Sequence, residues 1–200
     1  MEMTARMLIF WEKRLVFLAT PKTGSTAIEM ALEPLASASL QRPEALKHTG
    51  IASYHRHLGP WLTEQTGEDF TTIALMREPL DWLRSWYRFK LRDDSDDPTH
   101  PMEGVSFADF ARRYVAPGGR TALGIGSQAE FLLNGRNRAD RIFRYDRIDA
   151  FIDFLETRLD CMIELPRINV PPSVDVRLTP EDEASLRSAM AEDLALYNSL

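Results

Sequence analysis

One cysteine, Cys161, stands among the 200 residues, so the chain can build neither an internal disulfide framework nor a cysteine zinc cluster. No apolar run approaches the roughly 18–20 residues that a membrane span needs. The two apolar stretches near the N-terminus are split by Glu12, Lys13 and Arg14, whereas a secretory leader wants one unbroken stretch followed by small residues. The expectation is a cytoplasmic protein. Positive charge is in the minority: 24 Lys and Arg face 30 Asp and Glu, a net charge of −6. Such a chain does not coat a nucleic acid polymer through bulk charge, although a local cluster of cations can still hold a small anion. Glycine and proline, 10 and 12 residues, are too few for a fibrous or low-complexity chain. What is left is an ordinary globular composition, long enough for a real core, with no internal repeat or long linker. It reads as a single domain over residues 1–200.

Two short β-rich runs, Met7–Trp11 and Leu15–Ala19, flank a charged turn and predict a hairpin or two adjacent strands. The residues after Pro21 predict a helix that opens near Ser25 or Thr26 and ends or kinks at Pro34. Thr71–Met76 is an apolar run of strand length, and Pro79 suits the first turn of a helix reaching Arg92. At about 100° per residue, Asp81, Arg84, Ser85, Arg88 and Arg92 share one face of that helix. Ser106 with Asp109, and Thr179 with Asp182, form capping boxes for helices reaching Val115 and Tyr197. Pro117–Gly126 reads as a Gly-rich loop. Arg141–Tyr145 reads as a strand, followed by an amphipathic helix from about Arg147 to Leu159. Strands alternating with helices predict an α/β layer fold, a mostly parallel central sheet flanked by helices. Ligands of such sheets sit beyond the carboxyl ends of strands, which directs attention to Leu18–Ser25.

That segment has the pattern of an anion-binding loop: a strand, then Thr20-Pro21-Lys22-Thr23-Gly24-Ser25-Thr26, then a helix. Gly24 allows unusual dihedrals and a close backbone approach. The amides of Gly24, Ser25 and Thr26 fall where a helix has unpaired N–H groups and the positive end of its dipole. Lys22 adds a full charge. The same residues also describe a capped helix after a strand with an incidental exposed lysine. The loop is not a Walker A motif, which sets its lysine after a second glycine, because Lys22 precedes the loop's glycine by two positions. A second cationic cluster follows Met76, where Arg77, Arg84, Arg88, Lys90 and Arg92 outnumber Glu78 and Asp81. Read blandly, Arg77 pairs with Glu78 at the surface and Ser85 faces solvent.

P-K-T-G-S-T after a hydrophobic strand resembles the 5′-phosphosulfate loop of sulfotransferases that use 3′-phosphoadenosine-5′-phosphosulfate (PAPS). That family carries a second signature, an Arg ending a strand and a Ser eight residues later, and Arg77 and Ser85 match its spacing. RIFRYDRIDAFIDFLE, the late segment Leu165-Pro166-Arg167-Ile168-Asn169, Gln128 in GSQAEFL and the ending DLALY are similar to its carbohydrate branch. Residues Gln41–Thr66 and Asp93–Arg120, where the acceptor pocket is expected, match poorly. The resemblance implies a P-loop-like three-layer sulfotransferase fold and PAPS as sulfuryl donor, with adenosine 3′,5′-bisphosphate as product and no metal. It implies Lys22, Thr23, Gly24, Ser25 and Thr26 around the 5′ end, and Arg77 with Ser85 on the 3′-phosphate. Lys22 would also stabilise charge on the leaving oxygen, and the acceptor would be a hydroxyl of a carbohydrate or small molecule.

Such an acceptor must lose a proton, and histidine is the natural base near neutrality. Of His48, His55, His57 and His100, the choice is His48 in Leu-Lys-His-Thr-Gly, because carbohydrate sulfotransferases place a catalytic histidine or acid in a similar stretch. The other histidines and Glu44 stay as alternatives. His55-Arg-His57 has period-two spacing but lacks the further ligands that a metal needs. Two other classes fit the residues. One is an atypical kinase or NTPase using Lys22 on ATP, which would need Mg²⁺ and a carboxylate at a strand end. The other is a non-catalytic nucleotide- or partner-binding module presenting Trp82, Trp86 and Tyr87.

Overall fold

The structure is a computed structural model that describes residues 7–40, 46, 48–93, 102–135, 137–166 and 174–200. Glu44, Lys47, His100 and Arg167–Asn169 lie outside the described residues. In chain order come strands β1 (Met7–Phe10) and β2 (Leu15–Leu18), helix α1 (Ser25–Leu32) and strand β3 (Ala38–Leu40). The single turn α2 (Ile51–Ser53) continues through a π turn at Tyr54–Leu58 into α3 (Gly59–Thr66). Next are β4 (Thr71–Met76), α4 (Pro79–Asp93), α5 (Phe107–Val115), α6 (Gly119–Leu123), α7 (Gln128–Leu132) and the small hairpin β5 (Leu133–Asn134) and β6 (Asn137–Arg138). Strand β7 (Arg141–Arg144) precedes α8 (Ile148–Leu159), α9 (Pro180–Ala189) and α10 (Ala191–Asn198). Two compact units share these elements, one of Met1–Arg77, Gln128–Ile168 and Leu200, the other of Glu78–Ser127 and Asn169–Ser199.

The first unit is built on a five-stranded sheet of order β3-β1-β2-β4-β7. The expected hairpin is there, with Leu8 opposite Phe17, and β3 also runs antiparallel to β1, with Leu8 opposite Ser39. Only β2-β4 and β4-β7 are parallel, in the register Phe17–Ile73 and Leu75–Phe143. The expectation of a mostly parallel sheet is therefore corrected to a mixed α/β sheet flanked by helices. The cause is local, because the turn between β1 and β2 is far too short for the crossover that parallel strands require. Every residue of β2 is fully buried, as are Thr72–Met76 of β4, the pattern of strands covered on both faces. One core joins Leu8, Phe10, Leu15, Phe17, Ile28, Leu32, Ile73, Leu75, Phe151 and Leu155, which brings α1 and α8 onto the sheet. The sheet's parallel half is locked by Asp140, whose Oδ2 accepts from both the N–H and the hydroxyl of Thr72, each at 2.7 Å. The N–H of Asp140 donates back to the Thr72 hydroxyl at 2.9 Å.

The second unit is helical. Leu80, Trp82, Leu83 and Tyr87 of α4 pack with Phe107, Phe110 and Tyr114 of α5 and with Leu186 and Met190. Both expected capping boxes form: the Ser106 and Thr179 hydroxyls accept from the N–H of Asp109 and Asp182, each at 3.1 Å. Two expectations are revised. The Gly-rich stretch holds the one-turn helix α6 between left-handed Gly118 and Gly124. At its first residue, Gly119, an added Cβ would lie 1.8 Å from the Arg113 carbonyl oxygen, so only glycine lets the chain fold back there. The last helix is two, α9 and α10, separated at buried Met190 with φ −102° and ψ 22°. Among the described residues no helix is long and apolar enough to cross a membrane.

Candidate functional site

The three parallel strands of the first unit end at one edge of the sheet, and each hands on a different kind of group. After β2 comes the loop Ala19–Gly24, after β4 comes Arg77, and after β7 comes Tyr145. The loop is tightly wound. The Thr20 N–H donates to the Leu18 carbonyl at 2.9 Å, and the Thr23 hydroxyl donates to the Thr20 carbonyl at 2.8 Å. Lys22 and Gly24 both lie in the left-handed region, at φ 63° and 72°. For a residue with a Cβ this conformation costs about 1–2 kcal/mol, so the fold holds Lys22 against its own preference. Turns of this kind face successive main-chain N–H groups into one concavity, a recurrent anion seat.

Gly24 is the N-cap of α1, where no side chain caps the helix and no acidic residue occupies the first turn. The Ala27 N–H bonds to the Gly24 carbonyl, leaving the Ser25 and Thr26 amides as the first-turn donors without an intrahelical acceptor. Thr20 and Thr23 are fully buried, Ser25 is nearly so, and Lys22 and Thr26 are half-buried. Among the described residues the buried Oγ1 of Thr20 has no hydrogen-bond partner. A buried hydroxyl without one costs stability unless a ligand or water supplies it.

Arg77 joins this loop from the neighbouring strand. Its Nη1 donates to the Lys22 carbonyl at 3.3 Å, and its guanidinium carbon lies 5.0 Å from the centre of the Tyr145 ring. The same ring leans on the loop: a Cβ added to Gly24 would lie 2.8 Å from Tyr145 Cε2. Gly24 is thus required twice, by its dihedrals and by its neighbour. The main chain of Arg77 is held by Gln128, whose Oε1 accepts the Arg77 N–H at 2.9 Å while its Nε2 donates to the Arg77 carbonyl at 2.8 Å. His48 sits on the other side of the loop's start, with Nδ1 2.9 Å from the Ala19 carbonyl. A carbonyl only accepts, so Nδ1 carries the proton and Nε2 the lone pair of the neutral ring.

Within the first unit, then, Lys22–Thr26 are consecutive, Arg77 bonds to Lys22, and His48 bonds to Ala19 where the loop begins. Ser85 lies in the second unit, half-buried on α4 beside half-buried Arg84 and Arg88. Trp82 and Tyr87 are buried in that unit's core, so they form no exposed aromatic face, and Trp86 is half-buried. His55, Arg56 and His57 are exposed on the π turn, and among the described residues no three His, Cys, Asp or Glu side chains group to hold a metal. The neighbouring Tyr54 phenol is pushed up to about 12, first by burial and then by the charges of Asp140 and Asp69, so it stays protonated.

Tyr145 and Gln128 are the site residues to which sequence reasoning gave no role. Tyr145 carried a usable signal, as the aromatic residue ending a strand parallel to the one that ends at Arg77. Gln128 was marked only by the resemblance of GSQAEFL to the carbohydrate branch, which says nothing of a bond to Arg77. The chain matches no protein-family model, no curated protein and no solved structure.

Proposed function

We propose that the chain is a PAPS-dependent sulfotransferase of the small carbohydrate type, on a P-loop-like three-layer fold, acting on a hydroxyl of a carbohydrate or small molecule. One observation carries the reading: a left-handed, lysine-bearing loop at an uncapped helix start is tied to an arginine at the end of the adjacent parallel strand. PAPS, when bound, supplies an activated sulfuryl group and leaves as adenosine 3′,5′-bisphosphate. The residues present suit such a ligand. Ser25 and Thr26 offer main-chain donors and hydroxyls to a 5′-phosphate, and the orphaned Thr20 hydroxyl adds a buried polar group beside them. Arg77 takes the 3′-phosphate, for which a planar guanidinium is well shaped. Lys22 sets a full positive charge where negative charge grows on the leaving oxygen, the kind of stabilisation that usually dominates group transfer. His48, oriented through Nδ1, accepts the acceptor proton at Nε2. No step in this scheme calls for a metal.

Thermal unfolding with added nucleotides tests the reading. Adenosine 3′,5′-bisphosphate should stabilise the protein, by about 2.7 kcal/mol at a hundredfold excess over Kd, and ATP with Mg²⁺ should not. A preference for ATP with Mg²⁺ would instead favour a kinase or NTPase, and bisphosphate binding without transfer to any hydroxyl would leave a binding module. His48→Ala should abolish transfer while changing bisphosphate affinity less than about twofold. A parallel loss of nucleotide binding would make His48 structural, through its bond to Ala19.

A further inference from the structure

The β4–β7 ladder stops at the pair Met76–Arg144, so the peptide groups of Arg77 must find partners beyond the sheet. Both partners come from one side chain 51 positions away, that of Gln128. Gln128 is 0% exposed and opens α7, the point at which the chain re-enters the first unit after leaving it at Arg77. We infer that Gln128 is the positioning residue of Arg77, its carboxamide standing in for a strand partner and fixing the backbone from which the guanidinium departs. This rests on the reading that Arg77 holds the 3′-phosphate.

The chemistry of the pair is specific. Arg77 presents one donor and one acceptor, and a carboxamide answers with one of each on a single planar group. A carboxylate only accepts and would set an oxygen against the Arg77 carbonyl, while an apolar side chain would take from both peptide groups the partner that Gln128 supplies. Among the described residues, the far end of Arg77 donates to the Lys22 carbonyl at 3.3 Å and lies against the Tyr145 ring. Gln128 touches no ligand in this scheme and acts only through Arg77.

Gln128→Glu and the near-isosteric Gln128→Met test the inference, with Arg77→Ala as reference. Affinity for adenosine 3′,5′-bisphosphate and for adenosine 5′-monophosphate, which lacks the 3′-phosphate, is measured by calorimetry on each. The expected result is a fall of about tenfold or more for the bisphosphate and less than about twofold for the monophosphate, matching Arg77→Ala in kind. A residue that only closes the fold would not move that ratio. An unchanged ratio in a folded variant, a joint fall in both affinities, or melting of both variants below the assay temperature would each overturn the positioning role. If the unaltered protein shows no preference for the bisphosphate, the sulfotransferase reading itself falls and this inference with it. If Arg77→Ala erases the preference and the Gln128 variants keep it, the inference alone falls.

Discussion

In the first unit His48, Gln128, Arg77 and Asp140 all bond to main-chain groups 29, 51, 55 and 68 positions away. In the second unit Ser106 and Thr179 bond to N–H groups three positions on, and Arg112 ties the two boxes together through Asp109 and Asp182. The first arrangement holds a strained loop and the ends of parallel strands in place. The second finishes helices that would begin at those residues anyway. These bonds answer different needs, backbone positioning across the sheet in one unit and helix capping in the other, although the second unit also holds a long tie, from the Arg120 guanidinium to the Ala189 carbonyl 69 positions away.

The largest effect that would sharpen this contrast belongs to Lys22. On the proposed function, Lys22→Gly should lower sulfuryl transfer by about 10²–10³-fold, since it removes the charge assigned there to the leaving oxygen. Its unfolding free energy in denaturant should nonetheless hold or rise, because relief of about 1–2 kcal/mol of left-handed strain outweighs the added freedom of the unfolded chain. A stable but active variant would show that the loop's strain serves no chemistry. Asp140→Ala comes next. It strands the buried Thr72 N–H and hydroxyl and should cost about 2 kcal/mol in equilibrium unfolding. Adding Thr72→Val should cost less than the sum of the two, since they share the same bonds.

Gly24→Ala should cost about 1–2 kcal/mol from its dihedral, with a further steric part from Tyr145. Removing the ring by Tyr145→Ala in the same chain should recover the steric part alone, as read from denaturant midpoints. The smallest effect belongs to the second unit. The Arg112 guanidinium, then the Thr179 hydroxyl, holds Asp182 below the usual carboxylate range, while the Ser106 hydroxyl first, with Arg112 adding, does the same for Asp109. A carboxyl depressed on folding contributes stability above its unfolded pKa, and that stability is lost as pH falls through the folded value. Arg112→Ala should therefore flatten the fall in stability below pH of about 4 and leave neutral stability nearly unchanged. A large loss at neutral pH would break the contrast, giving the second unit the structural dependence on polar bonds seen in the first.

Much of the local structure was legible beforehand. Thr71–Met76 was bounded correctly by its apolar run, α1 by Gly24 and Pro34, and the starts of α5 and α9 by their caps, because each signal acts within a turn or two of chain. The one-turn helix α6 was not, since the glycines that frame it also read as loop residues. The break at Met190 was not, because no glycine or proline marks it and it sits where a buried side chain joins the core. The sheet was expected mostly parallel because alternation of strands and helices says nothing about which side of the hairpin the later strands join. At the site, the loop Thr20–Thr26 and Arg77 were legible from residue types and spacing. The role of Gln128 was not, although GSQAEFL resembles the carbohydrate branch, because a bond to a backbone 51 positions away leaves no local signal.

Residue order alone determined where the left-handed loop after β2 begins, why a glycine must stand at position 24, and which helices are capped, since these depend on dihedral preference and on bonds three or four residues long. Tertiary structure alone decided that β2, β4 and β7 run side by side, so that Lys22, Arg77 and Tyr145 meet at one sheet edge with Gln128 behind them. Those contacts span tens of residues, and chain topology, which no local preference encodes, is what brings their partners within hydrogen-bond reach.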